Sequence, residues 1–276
     1  MVSPRSQLPN LIGVIHLRPL PGSARFDGNF SQVLDDAARD AAALASAGFD
    51  GILVENYGDA PFTRGAVGPE TVAAMVSAVR RVRGIAPLIP VGVNILRNDA
   101  RAALAVAVAT EASMVRINVH MGARVTDQGL IEGDAFETLR FRKLLAAESV
   151  RLLCDVAVKH SAPLAARPIE EEACELFERG LADAVLMTGS STGSAVNPQE
   201  FASVVKAVKG SRAGAETLAP IYIASGATLQ NLAKYRGAYG AIVGSALRES
   251  QRAGDPISPT LALQFARAWS RIRRET

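Results

Sequence analysis

The feature that most limits what this chain can become is an alternation kept up from one end to the other. Short β-branched runs recur at Leu11–Leu17, Gly51–Asn56, Ile89–Leu96, Met114–Val119, Arg151–Val158, Ala184–Thr188, Ile221–Ser225 and Ala241–Ser245. Each is followed by a stretch with helical periodicity: Ser31–Ala47, Pro69–Arg83, Asp99–Thr110, Asp134–Ala147, Ile169–Arg179, Pro198–Lys209, Leu229–Arg236 and Pro259–Arg273. Gly48, Gly180, Gly237 and Gly240 stand where helices should stop, and Pro69, Pro198 and Pro259 suit first helical turns, whose N–H groups have no intrahelical partner. Eight βα units in 276 residues is about 35 residues each, the scale of a (β/α)8 barrel. A doubly wound open sheet would show a Gly-x-Gly-x-x-Gly turn after its first strand, and Leu17-Arg18-Pro19-Leu20-Pro21-Gly22 has nothing of that kind. The expectation is an α/β chain forming one (β/α)8 TIM barrel over residues 1–276, with no Ser/Pro-rich linker to divide it.

Composition narrows the function classes. Lys+Arg number 30 against 27 Asp+Glu, a net charge of +3, with 49% hydrophobic and 21% charged residues. That balance excludes disorder and a coiled coil, and it supplies no basic field for nucleic acid. The two cysteines, Cys154 and Cys174, make neither a disulfide framework nor a zinc knuckle, which points to a reducing, cytoplasmic setting. Met1–Pro9 lacks the apolar core of a signal peptide. The longest uncharged aliphatic stretch, Ala102–Thr110, is far short of the roughly 20 residues of a membrane span.

In barrels of this kind the chemistry gathers at the C-terminal ends of the strands. Strand side chains alternate between two faces. In the fourth run Val115, Ile117 and Val119 form an apolar face toward the helices, which turns Arg116, Asn118 and His120 inward. The same test puts His16, Glu55, Asn94, Asp155 and Lys159 inside. A barrel core is normally filled by Val, Ile and Leu, and a buried charge needs a partner. Either these groups pair into a structural network, or they line a site.

All three histidines, His16, His120 and His160, fall at or just beyond a strand end. With Glu55 and Asp155 they could hold a divalent metal, the one cofactor the residues suggest, although no His-x-His or His-Glu-x-x-His spacing supports it. Lys159 could serve as a base, an imine-forming nucleophile or a plain cation. Asp155 lies about 13 Å back along an ideal strand, so their direct pairing would require the lysine to fold back. Ser225-Gly226 and Gly244-Ser245 end the last two runs with small residues, and Thr188-Gly189-Ser190 ends the sixth. Exposed amides there suit a phosphate, as loops after the last barrel strands often do. Connections after the second, fourth and fifth runs are long, carry Arg64, Arg124, Asp127, Glu132 and Arg167, and could act as lids.

These motifs, in this order, resemble the BtpA/SgcQ family. The likeness rests on Ile12-Gly13-Val14-Ile15-His16-Leu17-Arg18-Pro19-Leu20-Pro21-Gly22, Val54-Glu55-Asn56-Tyr57-Gly58-Asp59-Ala60-Pro61-Phe62 and Val91-Gly92-Val93-Asn94-Ile95-Leu96-Arg97-Asn98-Asp99. It continues through Arg116-Ile117-Asn118-Val119-His120, Thr126-Asp127-Gln128-Gly129, Ile131-Glu132-Gly133, Asp155-Val156-Ala157-Val158-Lys159-His160 and Thr188-Gly189-Ser190. Ala157 departs from it, standing where the family is expected to carry histidine. The resemblance implies a barrel of the ribulose-phosphate-binding kind. It also implies a role, for the cyanobacterial members, in building or stabilising photosystem I at the thylakoid surface. Members in organisms without photosynthesis, one grouped with sugar-uptake genes, suggest an older metabolic role.

Two functions are therefore expected. The first is an enzyme on a small phosphorylated, sugar- or nucleotide-like metabolite, with isomerase, lyase and hydrolase chemistry open. Glu55, Asp155 and Lys159 would be catalytic. His16, Asn94, Arg116, Asn118, His120, Asp127 and Thr188 would bind substrate, and Gly189, Ser190, Ser225, Gly226, Gly244 and Ser245 would bind phosphate. The alternative is a non-catalytic assembly factor using an outer patch. Neither needs nucleic acid or an integral membrane segment, and Ala-rich helix faces leave room for a second copy of the chain.

Overall fold

A computed structural model of the protein describes residues 8–189, 191, 194–211 and 219–274. Strands are numbered here in chain order. Eight of them, β1 (Leu11–His16), β2 (Gly51–Glu55), β3 (Val91–Asn94), β4 (Met114–Ile117), β7 (Arg151–Val156), β9 (Ala184–Met187), β10 (Ile221–Ile223) and β11 (Gly240–Val243), close into a parallel barrel, with β11 paired back to β1. Each lies within two or three residues of an expected run. The helices are α1 (Phe30–Ala47), α2 (Pro69–Ile85), α3 (Ala100–Thr110), α4 (Ala135–Leu144), α5 (Ile169–Glu178), α6 (Pro198–Gly210) and α7 (Pro259–Arg274). Side-chain caps start several of them: Asn29 accepts from Gln32 N, Asp99 from Ala102 N and Asn197 from Gln199 N. Gly48 ends α1 in the left-handed conformation, at φ 87°.

Two expectations need correction. The stretch Leu229–Arg236 is not an α-helix; it holds only a 3-10 turn at Leu232–Tyr235. The long connections after the fourth and fifth runs are not structureless loops. They carry β5 (Ala123–Thr126), β6 (Gly129–Glu132) and β8 (Ser161–Pro163), which pair as an antiparallel sheet in the order β6-β5-β8. This flap, built by two different connections, stands at the C-terminal mouth. Val119 packs there with Ile131 and Val158 rather than among the helices.

The barrel interior is layered. Its lower part is hydrocarbon: Ile12, Val14, Leu53, Met114, Leu153, Leu186, Tyr222 and Ile242 pack on one another inside the ring. Val115, Ile117, Leu152 and Cys154 face the other way, into the larger core shared with the helices. Two residues further along β2, β4 and β7 the interior changes character. Leu53 gives way to Glu55, Met114 to Arg116 and Leu153 to Asp155, and the alternation of strand side chains keeps all of them pointing inward.

Candidate active site

Register places the polar layer. His16 pairs with Glu55, Glu55 with Asn94 and Asn94 with Arg116, a continuous row across four neighbouring strands. All four are buried. Asp155 stands one pleat higher on β7 and meets Arg116 in a two-pronged pair, with Nε to Oδ2 at 3.2 Å and Nη2 to Oδ1 at 3.0 Å. Asn118 donates to the same Oδ2 at 2.6 Å, and Asn94 donates to Asn118 Oδ1 at 3.2 Å. Burial works against the Arg116 charge, but Asp155 and Glu55 overcome it and hold the guanidinium above its ordinary value. Arg116, Asp155, Asn118 and Asn94 thus form one connected ion-pair and hydrogen-bond network, in which only the buried Asn94 Oδ1 lacks a partner.

Glu55 and Lys159 stay outside that network. No described residue donates a hydrogen bond to the Glu55 carboxylate, whose nearest basic nitrogen is His16 Nε2 at 3.8 Å. Lys159 does not ride on the strand face. Strand β7 ends at Val156, Ala157 turns into the left-handed region at φ 50°, and the half-buried lysine issues from the turn that leads to β8. Its ammonium makes no hydrogen bond or ion pair with a described residue. Burial pushes its pKa below the usual lysine value, with Glu55 opposing and Arg116 adding to the fall.

Both groups line a cavity of about 400 Å³ at the mouth, together with Arg18, Arg25, Tyr57, Leu96, Arg97, Arg116, Asn118, Asp127, His160 and Gly254. His16 lies beneath its edge, 4.8 Å ring to ring from Tyr57. Burial, reinforced by Arg248, Lys159 and Arg116, drives the His16 pKa well below 6.5, so its partner contact with Glu55 is that of a neutral imidazole. Asp127 enters from the flap, at the two-residue turn between β5 and β6.

Other expected site residues lie elsewhere. His120 is buried away from this cavity, its Nε2 2.8 Å from the Gly180 carbonyl oxygen. Thr188 donates to the Ala157 carbonyl at 3.1 Å. The Ser194–Ala195 segment lies over the end of β9 and β10, so a Cβ at Gly189 or Gly226 would run into the Ser194 carbonyl. Gly244 lies under the His16 ring, where a Cβ would stand 2.8 Å from Cε1. Ser225 is buried, Ser245 opens a 3-10 turn, and neither lines the 400 Å³ cavity. Ser190 lies outside the described residues. The small residues and the charged row therefore occupy opposite halves of the mouth. No three of the described His, Cys, Asp and Glu residues come together as a metal ion would require.

Sequence reasoning passed over Arg97, Tyr57, Arg18 and Arg25. Arg97 is buried, and its Nη2 donates to the Lys159 carbonyl at 2.7 Å. A signal was available: Arg97 and Tyr57 each follow shortly after an inward-facing polar strand residue.

The fold and mouth define a (β/α)8 barrel with an ionisable cavity at the C-terminal end of its strands. Among solved structures, phosphoribosyl anthranilate isomerase from Thermus thermophilus aligns over 96% of this chain and 100% of its own, with a TM-score of 0.57 at 14% identity. KGPDC from Streptococcus mutans in complex with D-R5P gives 0.58 at 9% identity, over 96% and 100%. The sequence model of the BtpA family matches residues 8–271, and the chain belongs to that family. It is 42% identical to the photosystem I biogenesis protein BtpA of Synechocystis over 94% of this chain and 87% of the relative. An uncharacterised protein of Thermococcus kodakarensis is 37% identical over 96% of this chain and 97% of its own. A mitochondrial protein of Caenorhabditis elegans, also uncharacterised, is 32% identical over 87% and 85%.

Proposed function

We propose that this protein is an enzyme of the cytoplasm that acts on a small phosphorylated, sugar- or nucleotide-like metabolite in the cavity at the barrel mouth. One observation carries the reading: Glu55 and Lys159, a carboxylate and an amine of lowered pKa, share that cavity with neither committed to a structural partner. A barrel that needed only stability would fill this layer with hydrocarbon. Such a pair serves proton transfer, with Glu55 taking a proton and Lys159 returning one or stabilising a developing oxyanion. That division of labour is common to isomerases, lyases and hydrolases. The cavity lining is cationic, with Arg25, Arg97 and Lys159 set against Glu55 and Asp127 while Arg18 is paired with Asp27 and Asp36, which favours an anionic substrate. Asp155 supports the site by fixing Arg116. The amides at Gly226 and Gly244–Ser245 would take a phosphate only after the Ser194–Ala195 segment over Gly226 and the His16 ring over Gly244 moved aside.

The test is a turnover screen of sugar phosphates and nucleotides with wild type, Glu55→Gln and Lys159→Ala. Loss of a general acid or base should lower kcat by about 10²–10⁴-fold with the fold intact. Failure of the wild type to bind or turn over any phosphorylated compound would end this reading.

A second reading has its own support. The Synechocystis relative is named for photosystem I biogenesis, and Phe136, Leu144 and Leu164 are exposed on α4 and just beyond β8. An assembly factor would lose its partner in Phe136→Asp or Leu164→Asp while tolerating Lys159→Ala. The enzyme predicts the reverse.

A further inference from the structure

Four arginines are buried among the described residues: Arg97, Arg116, Arg124 and Arg248. A guanidinium carries five N–H donors and stays charged in a protein, so each must find acceptors. Three have done so. Arg116 forks onto Asp155, and Arg124 pairs with Glu172. Arg248 donates to the carbonyls of Gly244 at 2.5 Å, Asp255 at 2.8 Å and Val14 at 3.1 Å.

Arg97 differs. It is 5% exposed, yet its single side-chain hydrogen bond among the described residues runs from Nη2 to the Lys159 carbonyl, and no described carboxylate lies within ion-pair distance. It lines the cavity that holds Glu55 and Lys159. Its acceptor is the backbone of Lys159 itself, which fixes the guanidinium relative to that amine. The neighbouring cavity beyond Asn118 offers nothing similar, because its Arg124, Arg167 and Arg179 are taken up by Glu172 and Glu175.

We infer that Arg97 is the anion seat of this site, gripping a phosphate or carboxylate group of the substrate through its remaining N–H fork. The inference rests on the enzymatic reading above and deepens it. It places the oxyanion on the β2–β3 side of the mouth, beside Glu55 and Lys159, rather than on the amides after β10 and β11. A planar fork held by a backbone carbonyl is pre-organised for two-pronged recognition of an oxyanion, which a lysine cannot reproduce. Asp127, at the flap tip, faces the same guanidinium electrostatically and competes with the incoming anion.

Calorimetric titration of the full chain with inorganic phosphate, ribose 5-phosphate and acetate tests this. Wild type should bind at least one of the phosphates, and Arg97→Gln should weaken that binding about 10- to 100-fold. Arg97→Lys should fall between them. Asp127→Asn should tighten binding a few fold at low salt, a gain that high salt removes. Arg97→Gln binding phosphate as wild type does overturns the seat and leaves the enzymatic reading standing. Wild type binding none of the three overturns both. Binding of acetate alone, lost in Arg97→Gln, keeps the seat and removes the phosphorylated substrate. If Arg97→Gln shows no cooperative melting, Arg97→Lys decides, and undiminished affinity in that variant overturns the proposal.

Discussion

Asp155 and His16 occupy the same charged layer but answer to different forces. The Asp155 carboxylate is fully buried and bound by Arg116 and Asn118. Removing its charge leaves a guanidinium stranded in the barrel, a change that typically costs about 3–5 kcal/mol. Asp155→Asn should lower the urea unfolding free energy by that much, and a loss below about 1 kcal/mol would show that the pair is not structural. The same variant therefore cannot separate an enzyme from a docking protein, because it weakens both. His16 contributes through pH. Folded His16 gives up its proton well below 6.5, whereas the unfolded chain does so near 6.5. Between those values only the unfolded state holds the proton, so stability rises with pH across the window and levels off above it. Acidification from about pH 7 to pH 5 should destabilise wild type more steeply than His16→Gln, by at most about 1.4 kcal/mol per pH unit. Parallel slopes would refute this. At this scale the inward set His16, Glu55, Asn94, Arg116, Asn118 and Asp155 was legible, because a period of two leaves no ambiguity about face. His120 and Lys159 were not, since both lie beyond the last strand residue, where alternation ceases to predict direction.

The flap is the element the sequence concealed. Its strands are three or four residues long, and Val125 and Leu130 face solvent, so neither length nor alternation marks them. The hairpin turn had a signal in Asp127-Gln128-Gly129, with Gly129 at φ 97°. The third strand comes from a separate connection about 30 residues on, a pairing no local pattern reveals. What holds the flap is slight: the small Val119–Ile131–Val158 cluster and the Arg124–Glu172 pair. Helix α4, which follows it, buries only Thr138. Amides of β5, β6, β8 and α4 should therefore exchange hydrogen on the order of a hundred times faster than those of β4 and β7. Saturating phosphate should slow exchange in β5 and β6. Equal protection throughout would mean that the flap is an integral part of the barrel.

The barrel as a whole was readable because eight apolar strands recur and all but the seventh are followed by a helix, so closure follows from the count. The two faces of that barrel are not equivalent. Tyr222, fully buried within the ring, donates its hydroxyl to the Pro9 carbonyl at 2.6 Å, and Tyr239 reaches the Leu8 carbonyl at 2.9 Å. Asp50 accepts from the amides of Asn10 and Leu11, which ties the same incoming segment to the start of β2. Among the described residues the base is thereby stoppered by backbone and phenol rings against the hydrocarbon packing of the lower barrel. Among the described residues this end offers no way through. On the enzymatic reading, a substrate that enters past Arg18 and the flap leaves by the same track, so admission and discharge fall to the same few side chains.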